Sequence, residues 1–129
     1  MNAIILSLAL ALATVLVCDG RILSPSQFQK ELRRNNVPEW MIPTWTCIAE
    51  HESHFDTAAW NRQSGDHGIL QISELYWCYP PGKGCGVNCN ALRNDDITDD
   101  IKCAMHVYKE TSKMKKNGFS AWVTYKYCH

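Results

Sequence analysis

The sequence carries no excess of charge of either sign. Thirteen Lys and Arg are balanced by thirteen Asp and Glu, so no broad field gathers a nucleic acid or an anionic membrane. That excludes a polyanion-binding protein and a cationic, membrane-disrupting peptide. Metal and nucleotide signatures are scarce too. There is no paired CxxC, and His51 and His54 miss the HExxH spacing that sets two imidazoles one helical turn apart. No glycine-rich phosphate loop, no Ser-His-Asp signature, no internal repeat and no linker is present. Lys113, Lys115 and Lys116 read as a solvated loop.

Long apolar runs are also lacking, except at one end. Residues 2–17 hold no charge, but they are fewer than the roughly 20 a membrane-spanning helix needs. They stand at the extreme N-terminus and lead into Cys18 and Gly20, small residues that suit a cleavage site. Residues 1–20 are therefore expected to be a secretory signal peptide, although no Lys or Arg precedes the apolar run; the competing reading is a retained anchor. The folded domain is then 21–129, with a net charge near +1. The cysteines agree. Seven is an odd number, and losing Cys18 leaves Cys47, Cys78, Cys85, Cys89, Cys103 and Cys128. An even set in a short secreted chain implies disulfides, though spacing alone does not choose their pairing.

The domain reads as α+β, mostly helical, with a small β hairpin. Ser24-Pro25-Ser26-Gln27 predicts a capped helix start, and Asn35-Asn36 and Pro38 its end. A second helix runs from about Pro43 to Ser53. Trp45, Ile48, Ala49 and Glu52 form one stripe on it, while Glu50 points elsewhere. Ser64-Gly65 marks a turn, and residues 68–72 alternate as a short strand does. Residues 76–94 form a cysteine-stapled loop region, 95–108 a third helix, and 120–127 a last short one.

Two carboxylates stand in contrasting settings. Glu52 lies at a helix C-terminus on an apolar stripe. Burial and the negative end of the helix both disfavour its ionised form. Asp66 lies in a polar turn beside Asn61, Arg62, Gln63 and Ser64, where it can stay charged. Such a pair suits acid-assisted cleavage of a glycosidic bond. The plainer reading of Glu52 is a residue at the edge of the core.

Several segments resemble C-type lysozymes. Cys47 through Phe55 is similar to the family's helix that ends in its acid Glu, a Ser and a Phe. Asp66-His67-Gly68-Ile69-Leu70-Gln71-Ile72 is similar to the strand that begins with its catalytic Asp. Tyr76-Trp77-Cys78, Cys85-x3-Cys89, Asp96-Ile97-Thr98, Cys103-Ala104 and Asn117 through Trp122 also agree, in order, over essentially all of 21–129. Lysozymes are the type case of the two-carboxylate pairing described above.

The resemblance implies that Glu52 is the general acid and Asp66 the nucleophile or charge stabiliser. It makes Trp122 the apolar wall beside Glu52, and Tyr76 and Trp77 the platforms for sugar rings. The plainer reading of these two aromatics is ordinary core. Ser73 stands where the family has an Asn that holds the catalytic Asp. The implied disulfides are Cys47–Cys128, Cys78–Cys89 and Cys85–Cys103. A fourth bridge is missing at both ends: Ser26 occupies one cysteine position, and the chain stops at His129. The segment between Glu52 and Asp66 is shorter than is usual in the family, and that between Cys103 and Trp122 longer.

The implied substrate is peptidoglycan or a chitin-like oligosaccharide, cut by a secreted monomer without a cofactor. The competing function is a non-catalytic lysozyme-like protein that binds glycans or a protein. The run from Asn94 to Asp100 also resembles the calcium elbow of α-lactalbumin. In that reading Asn94, Asp99 and Asp100 give side-chain oxygens, and Ala91 and Asp96 give carbonyls. The alternative is that these acids favour a helix N-terminus.

Overall fold

Ser24 starts the first helix as its sequence predicts. In the computed structural model, which describes residues 20–129, its hydroxyl accepts from the Gln27 N–H at 3.1 Å, and the Gln27 side chain accepts from the Ser24 N–H at 2.8 Å. Two orphan donors are satisfied reciprocally. Helix α1, Pro25–Arg34, buries Phe28 and Leu32. The expected signal peptide lies outside the described residues apart from Gly20. No described helix is long and apolar enough to cross a membrane.

Helix α2, Ile42–Ser53, is the central element. Its stripe is inside as expected: Trp45, Ile48 and Ala49 are at most 1% exposed. Trp45 meets Phe119 and Trp122 edge to face, each with centroids 4.9 Å apart. His54 then turns left-handed at φ 53° and stops the helix one residue past Ser53. The Ser53 hydroxyl sits within 2.7 Å of the Ile69 carbonyl oxygen and 3.1 Å of that of Ala49. That contact ties the end of α2 to the hairpin beside it.

The hairpin is a three-stranded antiparallel sheet of β1 (Trp60–Asn61), β2 (Asp66–His67) and β3 (Ile72–Ser73). At its tip the structure corrects the sequence reading. Residues 68–71 are a tight turn, not a strand: the Gln71 N–H donates to the Gly68 carbonyl at 3.0 Å, and Gln71 has φ 51°. Ile69 and Leu70 are both fully buried, so they do not alternate. The turn is wedged into the core, and Gly68 makes this geometry attainable. Its φ is +82°, and a Cβ there would lie 2.0 Å from the Leu92 carbonyl oxygen.

The 76–94 region contains a short parallel pair, β4 (Cys78–Tyr79) with β5 (Val87–Asn88), and a 3-10 turn at Cys89–Arg93. Helix α3 spans Thr98–Met114, so its expected bounds of 95–108 are corrected at both ends. The start is late because Asn94 Oδ1 accepts from the Asp96 N–H and Asp96 Oδ1 from the Thr98 N–H, each at 3.0 Å. The Asn94 bond shapes the loop before the helix, and the Asp96 bond meets the N–H of its first residue. The end is late because the lysines are good helix formers, and Lys113 pairs with Glu110 one turn earlier, at 3.1 Å. Two 3-10 turns, Gly118–Ala121 and Val123–Tyr127, close the fold where a single short helix was expected.

Three disulfides staple these parts: Cys47–Cys128, Cys78–Cys89 and Cys85–Cys103. They are the pairs that the resemblance implied.

Candidate active site

Packing brings α2, the hairpin, α3 and the final 3-10 turns around one cleft. Glu52 and Asp66 both line it, with Ile72, Ser73, Trp77 and Trp122. Glu52 comes from the end of α2, where the helical stripe carries it to the edge of the core. Asp66 comes from β2, on the wall formed by the hairpin.

The two carboxylates are treated differently by their surroundings. Burial pushes the Glu52 carboxyl above its ordinary range, and the charge of Asp66 pushes the same way. The Thr124 hydroxyl, which donates to Glu52 Oε2 at 2.8 Å, opposes this. Desolvation outweighs the hydrogen bond, so Glu52 holds its proton more tightly than an ordinary glutamate does. Asp66 is only half-buried, and its Oδ2 accepts from the Ser64 hydroxyl at 2.8 Å. A carboxyl that burial makes a weaker acid and a carboxylate that accepts a hydrogen bond therefore face one space.

Two of the residues named from the sequence, Ser73 and Tyr76, sit differently than expected. Ser73 lies opposite Asp66 in the β2–β3 register, but its hydroxyl accepts from the Leu75 N–H at 3.2 Å. The hydroxyl on the Asp66 carboxylate is that of Ser64. Tyr76 is 67% exposed and lies outside the cleft lining, whereas its neighbour Trp77 lines it. Trp122 does line the cleft, yet its ring is also structural: it is buried against Trp45, and its indole N–H donates to the Leu70 carbonyl at 2.8 Å.

Sequence reasoning assigned no role to Ser64 or Thr124. Ser64 had a signal, its place two residues before Asp66 in a turn. Thr124 had none, since it reaches Glu52 across 72 residues of chain.

The side chains of the acidic run at the start of α3 have different surroundings. Asp99 is exposed, Asn94 Oδ1 is engaged by the Asp96 N–H, and Asp100 is wholly buried. Its Oδ2 lies 2.3 Å from where a Cβ on Gly68 would stand, so it faces the 68–71 turn.

Asp100 has a stability consequence. Neither of its oxygens has a hydrogen-bond partner of good geometry. Burial raises its pKa well above the usual carboxylate range, and the nearby Ile69 N–H offsets this only in part. The unfolded chain ionises first as pH rises, so stability is complete in acid and falls through the interval up to the folded pKa. Asp100→Asn is therefore expected to raise the melting temperature at pH 7, on the order of 5 °C for each 1 kcal/mol gained. It should also flatten the pH dependence. Calorimetry at pH 4 and pH 7 checks this, and a variant less stable at both overturns it.

The profile of the C-type lysozyme/alpha-lactalbumin family matches residues 21–129. Lysozyme B of Drosophila melanogaster is 39% identical over 99% of this chain and 92% of its own length. Lysozyme C of Penaeus merguiensis is 41% identical over 94% of this chain and 82% of its own. The crystal structure of a lysozyme from Litopenaeus vannamei superposes with a TM-score of 0.74 at 36% identity, covering 82% of this chain and 86% of that one. Canine milk lysozyme gives a TM-score of 0.72 at 30% identity, covering 83% and 87%. Fold, cleft and relatives together define the class, a glycoside hydrolase of the muramidase type. Within that class, the chain belongs to the C-type lysozyme/alpha-lactalbumin family.

Proposed function

We propose that the protein hydrolyses the β-1,4 bond between N-acetylmuramic acid and N-acetylglucosamine in bacterial peptidoglycan, with Glu52 as general acid and Asp66 as nucleophile or charge stabiliser. The observation that carries this reading is the desolvated Glu52 carboxyl facing Asp66 in one cleft. Glu52 gives its proton to the leaving glycosidic oxygen. Asp66, on the hairpin wall, stabilises or captures the sugar cation that develops. Trp77 offers an aromatic face for a sugar ring, and Trp122 keeps water from Glu52. Ser64 and Thr124 hold the two carboxylates in place.

The pH dependence tests these assignments. Turnover requires Glu52 protonated and Asp66 charged, so the rate of cell-wall clearing is expected to be bell-shaped. Because Glu52 is raised, the alkaline limb lies above the ordinary glutamate range. Asp66→Asn should lower the rate by orders of magnitude at every pH. A flat wild-type profile defeats both roles, and an alkaline limb unchanged in Glu52→Gln defeats that of Glu52.

The chemistry needs no cofactor, and we read the acidic run before α3 as a helix start rather than a calcium site. Two carboxylates in its first turn favour the positive end of the helix. Millimolar calcium is expected to leave the melting temperature where a chelator leaves it. A rise of several degrees would favour calcium. Secretion and a monomeric state complete the reading, and the three disulfides support secretion.

A further inference from the structure

Beside the catalytic cleft lies a second groove, and the two share Glu52 and Gln71. Its other wall includes Trp60, Asn61 and Arg62. The Arg62 guanidinium carbon sits 4.2 Å from the centre of the Trp60 ring, and that of Arg93 sits 3.9 Å from the same centre. The ring itself is fixed. Trp60 pairs with His67 across the sheet, the two rings are 5.3 Å apart, and buried His67 is held by Glu74 at 2.9 Å. Arg93 is held by Asn90.

Two cations thus share one aromatic ring, and among the described residues no carboxylate pairs with either. Stacking uses the flat face of a guanidinium and leaves its N–H edge free. That edge is a fork matched to a carboxylate. On Arg62 it is exposed, in the groove that continues from Glu52.

We infer that Arg62, seated on Trp60, is a specificity residue that binds a carboxylate on the glycan chain and so favours acid-bearing peptidoglycan over neutral chitin-like polymers. This deepens the proposed function and rests on it for the glycan. Peptidoglycan carries such carboxylates on its peptide stems, and on its lactyl ethers wherever the stem is absent and the lactyl carboxyl is not tied up as an amide. A neutral N-acetylglucosamine chain carries none, and it would reach the same groove without pairing Arg62.

The experiment compares three fragments: a neutral N-acetylglucosamine oligomer, a muramic-acid oligomer with free lactyl groups, and a peptide-bearing one. Binding is measured by calorimetry in the Glu52→Gln background, with Arg62 intact and as Arg62→Gln. Arg62→Gln is expected to lower the ratio of acidic to neutral affinity about tenfold at low salt, the size of one charge-assisted contact. The loss should shrink in high salt. Loss for the lactyl fragment assigns the contact to that group, and loss confined to the peptide fragment assigns it to the stem. Arg62→Lys should restore only part of the ratio, because it keeps the charge and not the fork. A ratio unchanged within twofold, or equal losses on all three fragments, overturns the inference. Because binding is read without turnover, failure of wild-type hydrolysis would overturn the enzymatic roles and leave this contact standing or falling by its own ratio.

Discussion

Replacing Glu52 by Gln is expected to abolish cell-wall hydrolysis, by roughly 10²–10⁴-fold, the share that a positioned general acid supplies. Gln keeps the shape of the side chain, and its oxygen can still accept from the Thr124 hydroxyl. It has no proton to give to a leaving oxygen. Stability should move the other way. The folded pKa of Glu52 is raised, so the charged carboxylate weakens the fold once pH exceeds the ordinary glutamate range. Gln removes that charge. The variant should melt at least as high as wild type at pH 7 while binding oligosaccharide nearly as well. Loss of activity with unchanged or higher melting temperature is the expected signature. If pure, folded wild type binds oligosaccharide yet clears cell walls no faster than Glu52→Gln, the protein is a glycan-binding relative and not an active hydrolase.

The second large effect concerns the Cys47–Cys128 bridge. It spans 81 residues, against 11 for Cys78–Cys89 and 18 for Cys85–Cys103. Loop-closure entropy makes it worth about 4–5 kcal/mol and the shortest bridge about 3 kcal/mol, against a total of about 5–15 kcal/mol for a typical domain. The bridge joins the middle of α2 to the residue after the last 3-10 turn. That turn carries Val123, which lines the cleft, and Thr124, which holds Glu52. Replacing both cysteines by serine should therefore lower the urea midpoint more than replacing either other pair. It should also weaken activity below the unfolding transition, as Thr124 drifts from Glu52. Urea titration with the slope checked, together with hydrolysis rates at a temperature where all variants stay folded, tests both statements. Equal midpoints for the three double variants would refute the ranking.

The two carboxylates were legible from sequence for different reasons. Glu52 announced itself by falling on the stripe of Trp45, Ile48 and Ala49, which helical periodicity alone defines. Asp66 was visible as a polar residue in a turn and as the first residue of a family-like segment. Helix α1 was readable down to its cap, since Ser24 and Gln27 act within one turn. The start of α3 was misread because acidic residues suit a first turn and a capping loop alike. Which residues stay in the loop depends on Asn94 and Asp96 each accepting from the N–H two residues ahead. The 68–72 segment was misread because alternation in so few residues does not separate a strand from a turn with its apolar residues buried. Gly68, at positive φ against the Leu92 carbonyl, decided it.

The sequence by itself determined the local features: which helix face is apolar, where the first helix begins, which residues are cysteines and which acids sit in polar or apolar company. These depend on interactions within a few residues, where periodicity and capping act. The tertiary structure alone decided what faces what. Ser64 rather than Ser73 bonds Asp66, Thr124 reaches Glu52 from the far end of the chain, and Asp100 turns into the core. Arg62 and Arg93 meet on Trp60 only because the hairpin and the loop before α3 pack together. The reason is physical: a side chain's neighbours across long stretches of chain are set by how whole elements pack, and no local period records that.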